Sequence, residues 1–298
     1  MITIEHLSKS YGSLAAVDDL SFTVKPGRVT GFLGPNGAGK TTTLRMATNL
    51  IHPDRGRVTF GGQPYRQLTK PFTHVGMALE PAVFHPGRTA LNHLLMLAPH
   101  AGAGRQRCEQ VLGLVGLADA AGKRVGKFSL GMRGRLNLAA ALLGDPDTLL
   151  LDEPVNGLDP EGIRWIRELL RGLAAEGRTI LISSHLLSEV QQTVEAVVII
   201  AHGRLVYEGG LAELEGLAGS AVDVRSESPA AVRGLAHAHG WTVREASDPA
   251  VVRIEGATPT EIGQAAMTAG IPLAGLTEHG ADLESVFFAL TEGQGGMR

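Results

Sequence analysis

An apolar run from Val29 to Leu33 leads straight into Gly34-Pro35-Asn36-Gly37-Ala38-Gly39-Lys40-Thr41, and a helix-compatible segment from Thr41 to Asn49 follows. The octapeptide fits the pattern G-x-x-x-x-G-K-[ST] in the strand, loop, helix context that the pattern needs. Glycines let successive N–H groups turn inward around a phosphate, and the helix start adds the positive end of its dipole. Lys40 then supplies a point charge to the β- and γ-phosphate oxygens. Thr41 is placed to hold Mg2+, with Thr42 beside it against the nucleotide. A glycine-rich turn with a solvent-facing lysine is the plain alternative, and it leaves the flanking strand and helix unexplained. The loop implies a nucleotide without saying what the nucleotide drives.

A second cluster narrows the chemistry. Leu149-Leu150-Leu151-Asp152-Glu153 ends an apolar strand with two acids. Asp152 falls at the C-terminal edge of a sheet, where Mg2+ or its water shell is held, and Glu153 can orient and deprotonate an attacking water. In isolation the same residues also read as a solvated acidic turn before Pro154.

Around these motifs the chain alternates in a recognisable way. Ile2, Ile4 and Leu7, then Leu20, Phe22 and Val24, form short β-type runs closed by Pro26-Gly27, which suits an opening antiparallel sheet. From about Phe84 to Leu143 the periodicity is mainly helical, an inserted helical subdomain, with one helix expected over Arg133 to Leu143. Thr148 to Leu151, Thr179 to Ile182 and Val197 to Ile200 are short β-like runs with helical patterns between them, as in a parallel α/β core. Beyond Gly219 the chemistry-bearing signals stop. Ala221 to Ala289 reads as strand, helix, two strands, helix, strand and a last helix, an order that suits a small ferredoxin-like domain. Leu283, Val286, Phe287 and Leu290 in that last helix read as core, and the glycine-rich tail from Gly293 to Arg298 reads as frayed. The expected fold class is therefore α/β, a P-loop nucleotide-binding core with an antiparallel β subdomain and a helical subdomain, plus a small α+β C-terminal domain.

Charge and composition exclude other classes. The 298 residues carry 27 Lys+Arg against 30 Asp+Glu, a net charge of −3, which gives no basic surface for nucleic acid. The longest uncharged stretches, Thr89 to Gly104 and Ile262 to Thr277, contain proline and polar residues, and neither matches the ~18 apolar residues of a spanning helix. A single cysteine, Cys108, makes no intrachain disulfide, and with no signal-peptide pattern the expected location is cytoplasmic.

With these residues in hand, the chain resembles the ATP-binding subunit of ABC transporters. Phe128-Ser129-Leu130-Gly131-Met132, upstream of Asp152, is similar to that family's signature motif. Asn156-Gly157-Leu158-Asp159 is similar to its D-loop, and His185, beyond the strand Thr179 to Ile182, to its switch histidine. The resemblance covers about residues 1–218 and leaves 219–298 as an accessory domain, whose role as regulator, dimer contact or dock stays open. Leu130 and Met132 in place of glycine and glutamine resemble the bacitracin-resistance and multidrug-export branch.

The resemblance implies further roles. Tyr11 would stack on adenine, with an ordinary turn tyrosine as the alternative. Glu80 aligns with the Q-loop where many members carry glutamine, and it would remain an oxygen ligand for Mg2+ while adding a negative charge beside the phosphates. Ser129, Leu130, Gly131 and Met132 of one subunit would close on the ATP held by a second copy, Asp159 would communicate across that interface, and His185 would contact the γ-phosphate. Asp159 also reads as a simple helix N-cap, and both roles are compatible. Implied partners are a membrane-spanning permease and a second copy of the chain, with no nucleic acid, which places the protein on the inner face of the membrane as the ATPase powering small-molecule export. A soluble ABC-type ATPase acting on ribosomes or DNA is the alternative, and it is usually built from tandem units or long coiled-coil insertions that are not seen here. A kinase or GTPase on the same loop leaves Phe128 to Met132 and His185 unexplained.

Overall fold

In the computed structural model the described residues are 1–80, 82–217, 221–244, 246, 248–279 and 283–292, and the chain divides into two compact units, one on residues 1–211 together with the described residues from Leu290 onward, and one on 212–289. The first unit runs, in chain order, β1 (Ile2–Tyr11), β2 (Leu14–Val24), β3 (Arg28–Leu33), α1 (Lys40–Ala47), β4 (Arg55–Phe60), β5 (Gln63–Pro64) and β6 (Val75–Ala78). It continues through α2 (Ala90–Leu97), α3 (Arg105–Leu114), α4 (Leu130–Ala141), β7 (Thr148–Asp152), α5 (Pro160–Ala175), β8 (Thr179–Ser184), α6 (Leu187–Val190), β9 (Ala196–Ala201) and β10 (Arg204–Gly210).

Two sheets form its core. The antiparallel sheet has the order β2-β1-β4-β5, and the larger sheet the order β10-β9-β3-β8-β7-β6. In the larger sheet β9, β3, β8, β7 and β6 are parallel, with only β10 antiparallel at the edge. Parallel strands buried on both faces read as continuous apolar runs, and β7, β8 and β9 are buried at every position. The alternating strands of the first sheet turn Ile2, Ile4, Leu20, Phe22 and Val24 into a core shared with Phe32, Leu44, Leu150, Leu181 and Val198. The rings of Phe22 and Phe32 meet at 5.2 Å across it. Each such fully buried side chain contributes about 1.5–3 kcal/mol.

The segment expected to be helical resolves into α2, α3 and α4, and α4 differs in its start. It opens at Leu130, three residues before the expected Arg133, because the Ser129 hydroxyl accepts from the Met132 N–H at 3.2 Å and caps it. The C-terminal end of α4 packs on β6 with no room to spare. A Cβ on Gly76 would lie 2.1 Å from the Ala141 carbonyl oxygen and 2.8 Å from the Pro146 ring. Gly76→Ala is expected to destabilise this unit by about 1–3 kcal/mol or more, read as a lowered midpoint in denaturant unfolding of the purified chain. An unchanged midpoint would show that β6 can shift away from α4.

The second unit is built from α7 (Leu211–Leu217), which begins at its border, β11 (Ala221–Arg225), α8 (Pro229–Ala238), β12 (Thr242–Arg244), β13 (Val251–Glu255), α9 (Pro259–Thr268), β14 (Gly275–His279) and α10 (Leu283–Glu292). Its sheet has the order β12-β13-β11-β14, with every pairing antiparallel. Two βαβ halves with the first and third strands central give the ferredoxin-like arrangement. Val222, Val224, Val232, Ile254 and Ile262 form its core, and α9 starts with a capping box between Thr258 and Glu261. In α10, Leu283 and Phe287 are buried while Val286 and Leu290 are half-buried. The tail read as frayed lies outside the described residues.

Candidate active site

Because β3, β6, β7 and β8 run parallel, their C-terminal ends fall on one edge of the sheet. That edge carries Gly34 after β3, Glu80 after β6, Glu153 after β7 and His185 after β8. Open α/β sheets bind ligands in this place.

The phosphate loop has the backbone its glycines imply. Gly37 and Gly39 have φ of +82° and +103°, and a Cβ on Gly39 would lie 2.4 Å from the Ala16 carbonyl oxygen. Only glycine tolerates both demands at position 39. The Lys40 ammonium donates to the carbonyl oxygens of Gly34 at 2.6 Å and Pro35 at 3.3 Å, and it stands 3.8 Å from Glu153 Oε1. Burial lowers the Lys40 pKa, while the carboxylates of Glu153 and Asp152 pull it back up. Asn36 to Thr42, Glu80, Asp152 and Glu153 line one open cleft together with Ala16.

The acids are held from several sides. The Thr41 hydroxyl donates to Asp152 Oδ2 at 2.9 Å, and the Ser183 hydroxyl donates to Asp152 Oδ1 at 2.6 Å. Glu153 adopts φ of +49°, a left-handed conformation that costs a non-glycine residue about 1–3 kcal/mol. Its N–H donates to Ser183 Oγ at 2.9 Å, and its Oε2 lies 3.1 Å from His185 Nδ1. Burial raises the Glu153 pKa, opposed by the hydrogen bond to His185 and the charge of Lys40. Burial also raises the Glu80 pKa, with the nearby Asp152 charge adding to the effect. A hydroxyl paired with a buried carboxylate beside a lysine-lined anion loop matches the oxygen donors that Mg2+ takes in a nucleotide site.

The signature residues stand elsewhere. Ser129, Gly131 and Met132 line a second groove together with Asp159, Gly157 and Arg135, and none of these lines the cleft of the phosphate loop. Gly157 has φ of +73° and a Cβ there would lie 2.4 Å from Leu130 Cδ2, so the signature and the turn before Asp159 interlock within one chain. Asp159 caps α5 by accepting from the Gly162 N–H at 2.9 Å. Asp159→Ala is expected to cost about 1 kcal/mol of stability through that lost cap, seen as a shifted denaturant midpoint. If its whole effect fell on turnover with the midpoint unmoved, the capping role would be wrong.

Tyr11 is not among the residues that line either groove. It ends β1 at the hairpin opposite Leu14, is 48% exposed, and has Lys9 Nζ 5.8 Å from its ring centroid. Several site residues were not singled out from the sequence. Ser183 was one, although the polar pair Ser183-Ser184 at the end of an apolar strand signalled it. Ala16 and Asn137 were others. Asn137 donates from Nδ2 to the Leu79 carbonyl oxygen at 3.0 Å and so steadies the residue before Glu80. Their side chains and carbonyls meet the site only through tertiary packing.

A family model described as ABC transporter matches residues 17–156. The bacitracin transport ATP-binding protein BcrA of Bacillus licheniformis is 46% identical over 211 residues, covering 70% of this chain and 69% of that protein. This chain belongs to the ABC transporter ATP-binding family. The Nod factor export ATP-binding protein I of Burkholderia orbicola (strain AU 1054) is 38% identical over 240 residues, covering 78% of this chain and 79% of that protein. Among solved structures, an ATP-binding subunit of an ABC transporter aligns with a TM-score of 0.66 at 26% identity, over 73% of this chain and 92% of that one. A dimeric post-hydrolysis cassette bound to ADP and Pi aligns with a TM-score of 0.65 at 25% identity, over 71% of this chain and 99% of that one. A second family model, described as a domain of unknown function (DUF8746), matches residues 220–284. As an ABC cassette of this branch the protein binds and hydrolyses ATP, and the alternative of a ribosome- or DNA-directed ATPase draws no support from these relatives. Among the described residues no helix is long and apolar enough to cross a membrane.

Proposed function

We propose that the protein powers export of a small molecule through a separate membrane-spanning permease, working as a homodimer at the inner face of the membrane. The observation that carries the reading is the separation of two half-sites on one chain. The phosphate loop with Asp152 and Glu153 forms one cleft, and Ser129, Gly131, Met132 and Asp159 line another. A head-to-tail pair with two-fold symmetry brings the two kinds of half-site together twice from one sequence. The relatives named for bacitracin transport and Nod factor export support the direction of transport.

In this reading the N–H groups of residues 36–41 and the Lys40 ammonium bind the phosphates, and Tyr11 offers an aromatic face for the base. Thr41, Asp152 and Glu80 would hold Mg2+, which when bound neutralises charge on the transferred phosphoryl group. Glu153 accepts the proton of the attacking water, and His185 holds its carboxylate in place and reaches toward the γ-phosphate. Ser129 to Met132 of the second copy cover the triphosphate and exclude water. Residues 1–218 then form the motor and residues 219–298 an accessory domain.

Light scattering of the hydrolysis-blocked Glu153→Gln protein tests the pairing. With ATP it is expected to elute at twice the monomer mass of 31.3 kDa, and without nucleotide at the monomer mass. A monomer at saturating ATP would overturn the shared-site reading. Co-purification with a co-expressed membrane protein encoded beside it tests the permease arm.

A further inference from the structure

One hydroxyl at the catalytic edge has no role in the chemistry described so far. Ser183 is fully buried at 0% exposure and pairs in register with Asp152 across β7 and β8. It donates to Asp152 Oδ1 at 2.6 Å and accepts from the Glu153 N–H at 2.9 Å. A serine hydroxyl carries one proton to give and lone pairs to receive, so both bonds form at once.

We infer that Ser183 is a positioning residue for ATP hydrolysis, fixing the Asp152 carboxylate and the Glu153 backbone through a single oxygen. The two Asp152 oxygens have different partners. Oδ2 faces Thr41 on α1, and Oδ1 is held by Ser183 on β8. With a cation held by Thr41 and Asp152, Ser183 would be the tether that keeps the Asp152 carboxylate in place. The second bond acts on the neighbouring residue. Glu153 sits at φ of +49°, a conformation its own backbone disfavours, and the Ser183 oxygen anchors its N–H there. That turn sets where the Glu153 carboxylate points, 3.1 Å from His185 and 3.8 Å from Lys40. Removing the hydroxyl therefore loosens the cation ligand and the base together, while the phosphate loop keeps its own contacts. This inference rests on the ATPase reading and on no assumption about permease or cargo.

The test uses the full chain with three substitutions. Ser183→Cys puts a slightly larger and poorly hydrogen-bonding thiol in place of the hydroxyl, Ser183→Ala removes the group without adding bulk, and Ser183→Thr keeps the hydroxyl. In the Cys and Ala variants kcat is expected to fall by about tenfold or more with KM for ATP within about twofold, and the Thr variant to retain most of the turnover. A readout independent of turnover comes from the Glu153→Gln background, where Mn2+ binding in the presence of ADP is followed by electron paramagnetic resonance. Adding Ser183→Cys there is expected to weaken Mn2+ by about fivefold or more while metal-free binding of a fluorescent nucleotide is unchanged. Turnover and Mn2+ affinity both within about twofold of the parent in the Cys variant would overturn the inference. So would a loss of turnover matched by an equal loss of nucleotide binding and thermal stability, the pattern of a merely structural serine. Failure of the ATPase reading itself would show separately, as a parent protein without turnover.

Discussion

Glu153→Gln is expected to lower ATP turnover by two to four orders of magnitude while nucleotide binding survives. Glutamine fills the same volume, and its carbonyl oxygen can still accept from His185, which lies 3.1 Å from the present carboxylate. An amide, however, takes no proton from water at neutral pH, so the general-base contribution, on the order of 10²–10⁴ in rate, is lost. Binding follows a different ledger. The charge of Glu153 stands 3.8 Å from Lys40 and competes with phosphate for it, so its removal leaves the ammonium freer for the nucleotide. Steady-state phosphate release and a fluorescent-nucleotide titration on the same preparation separate the two quantities. Turnover at the parent rate would remove Glu153 from the role of base.

Lys40→Ala is expected to produce the opposite pattern, a loss of binding that carries turnover down with it. Lys40 lies inside the loop, donating to the Gly34 and Pro35 carbonyls, and it faces Asp152 and Glu153 across the cleft. Without it, the carboxylates of Asp152, Glu153 and Glu80 line the cleft and no lysine remains there to offset them. A charge-assisted hydrogen bond is worth about 1.5–3 kcal/mol, so affinity for ATP is expected to fall by roughly ten- to a hundredfold or more. Calorimetric titration of ATP into the variant reads this directly. An affinity equal to the parent's would mean that the backbone N–H groups alone hold the triphosphate.

Both substitutions fall on residues that are legible in the sequence. The loop from Gly34 to Thr41 could be read because its chemistry is local, with consecutive amides and a helix start inside eight neighbouring residues. Asp152 and Glu153 could be read because an apolar strand that ends in acids declares its own edge. The ferredoxin-like order of the second unit was legible for the same reason, since alternation and helical periodicity are properties of short windows. Ser183 stands two residues before His185, yet its own neighbourhood does not single it out. Its partners lie on another strand, and nothing in its own neighbourhood says that β7 and β8 are adjacent. The start of α4 was misplaced by three residues for a related reason. Gly131 and Met132 look like a loop in isolation, and only the cap from Ser129 shows that the helix has already begun.

Sequence alone was sufficient for a nucleotide as the ligand, because phosphate binding needs particular residue types at short spacing. It was sufficient also for the family, through Phe128 to Met132 and His185. What only the tertiary structure decided is the arrangement among distant segments. Five parallel strands in the order β9-β3-β8-β7-β6 bring Gly34, Glu80, Glu153 and His185 to one edge, and the same packing sets Ser129 and Asp159 together in a different groove. Strand order is a property of hydrogen bonds between segments far apart in the chain, and those pairings are set by the packing of the whole core.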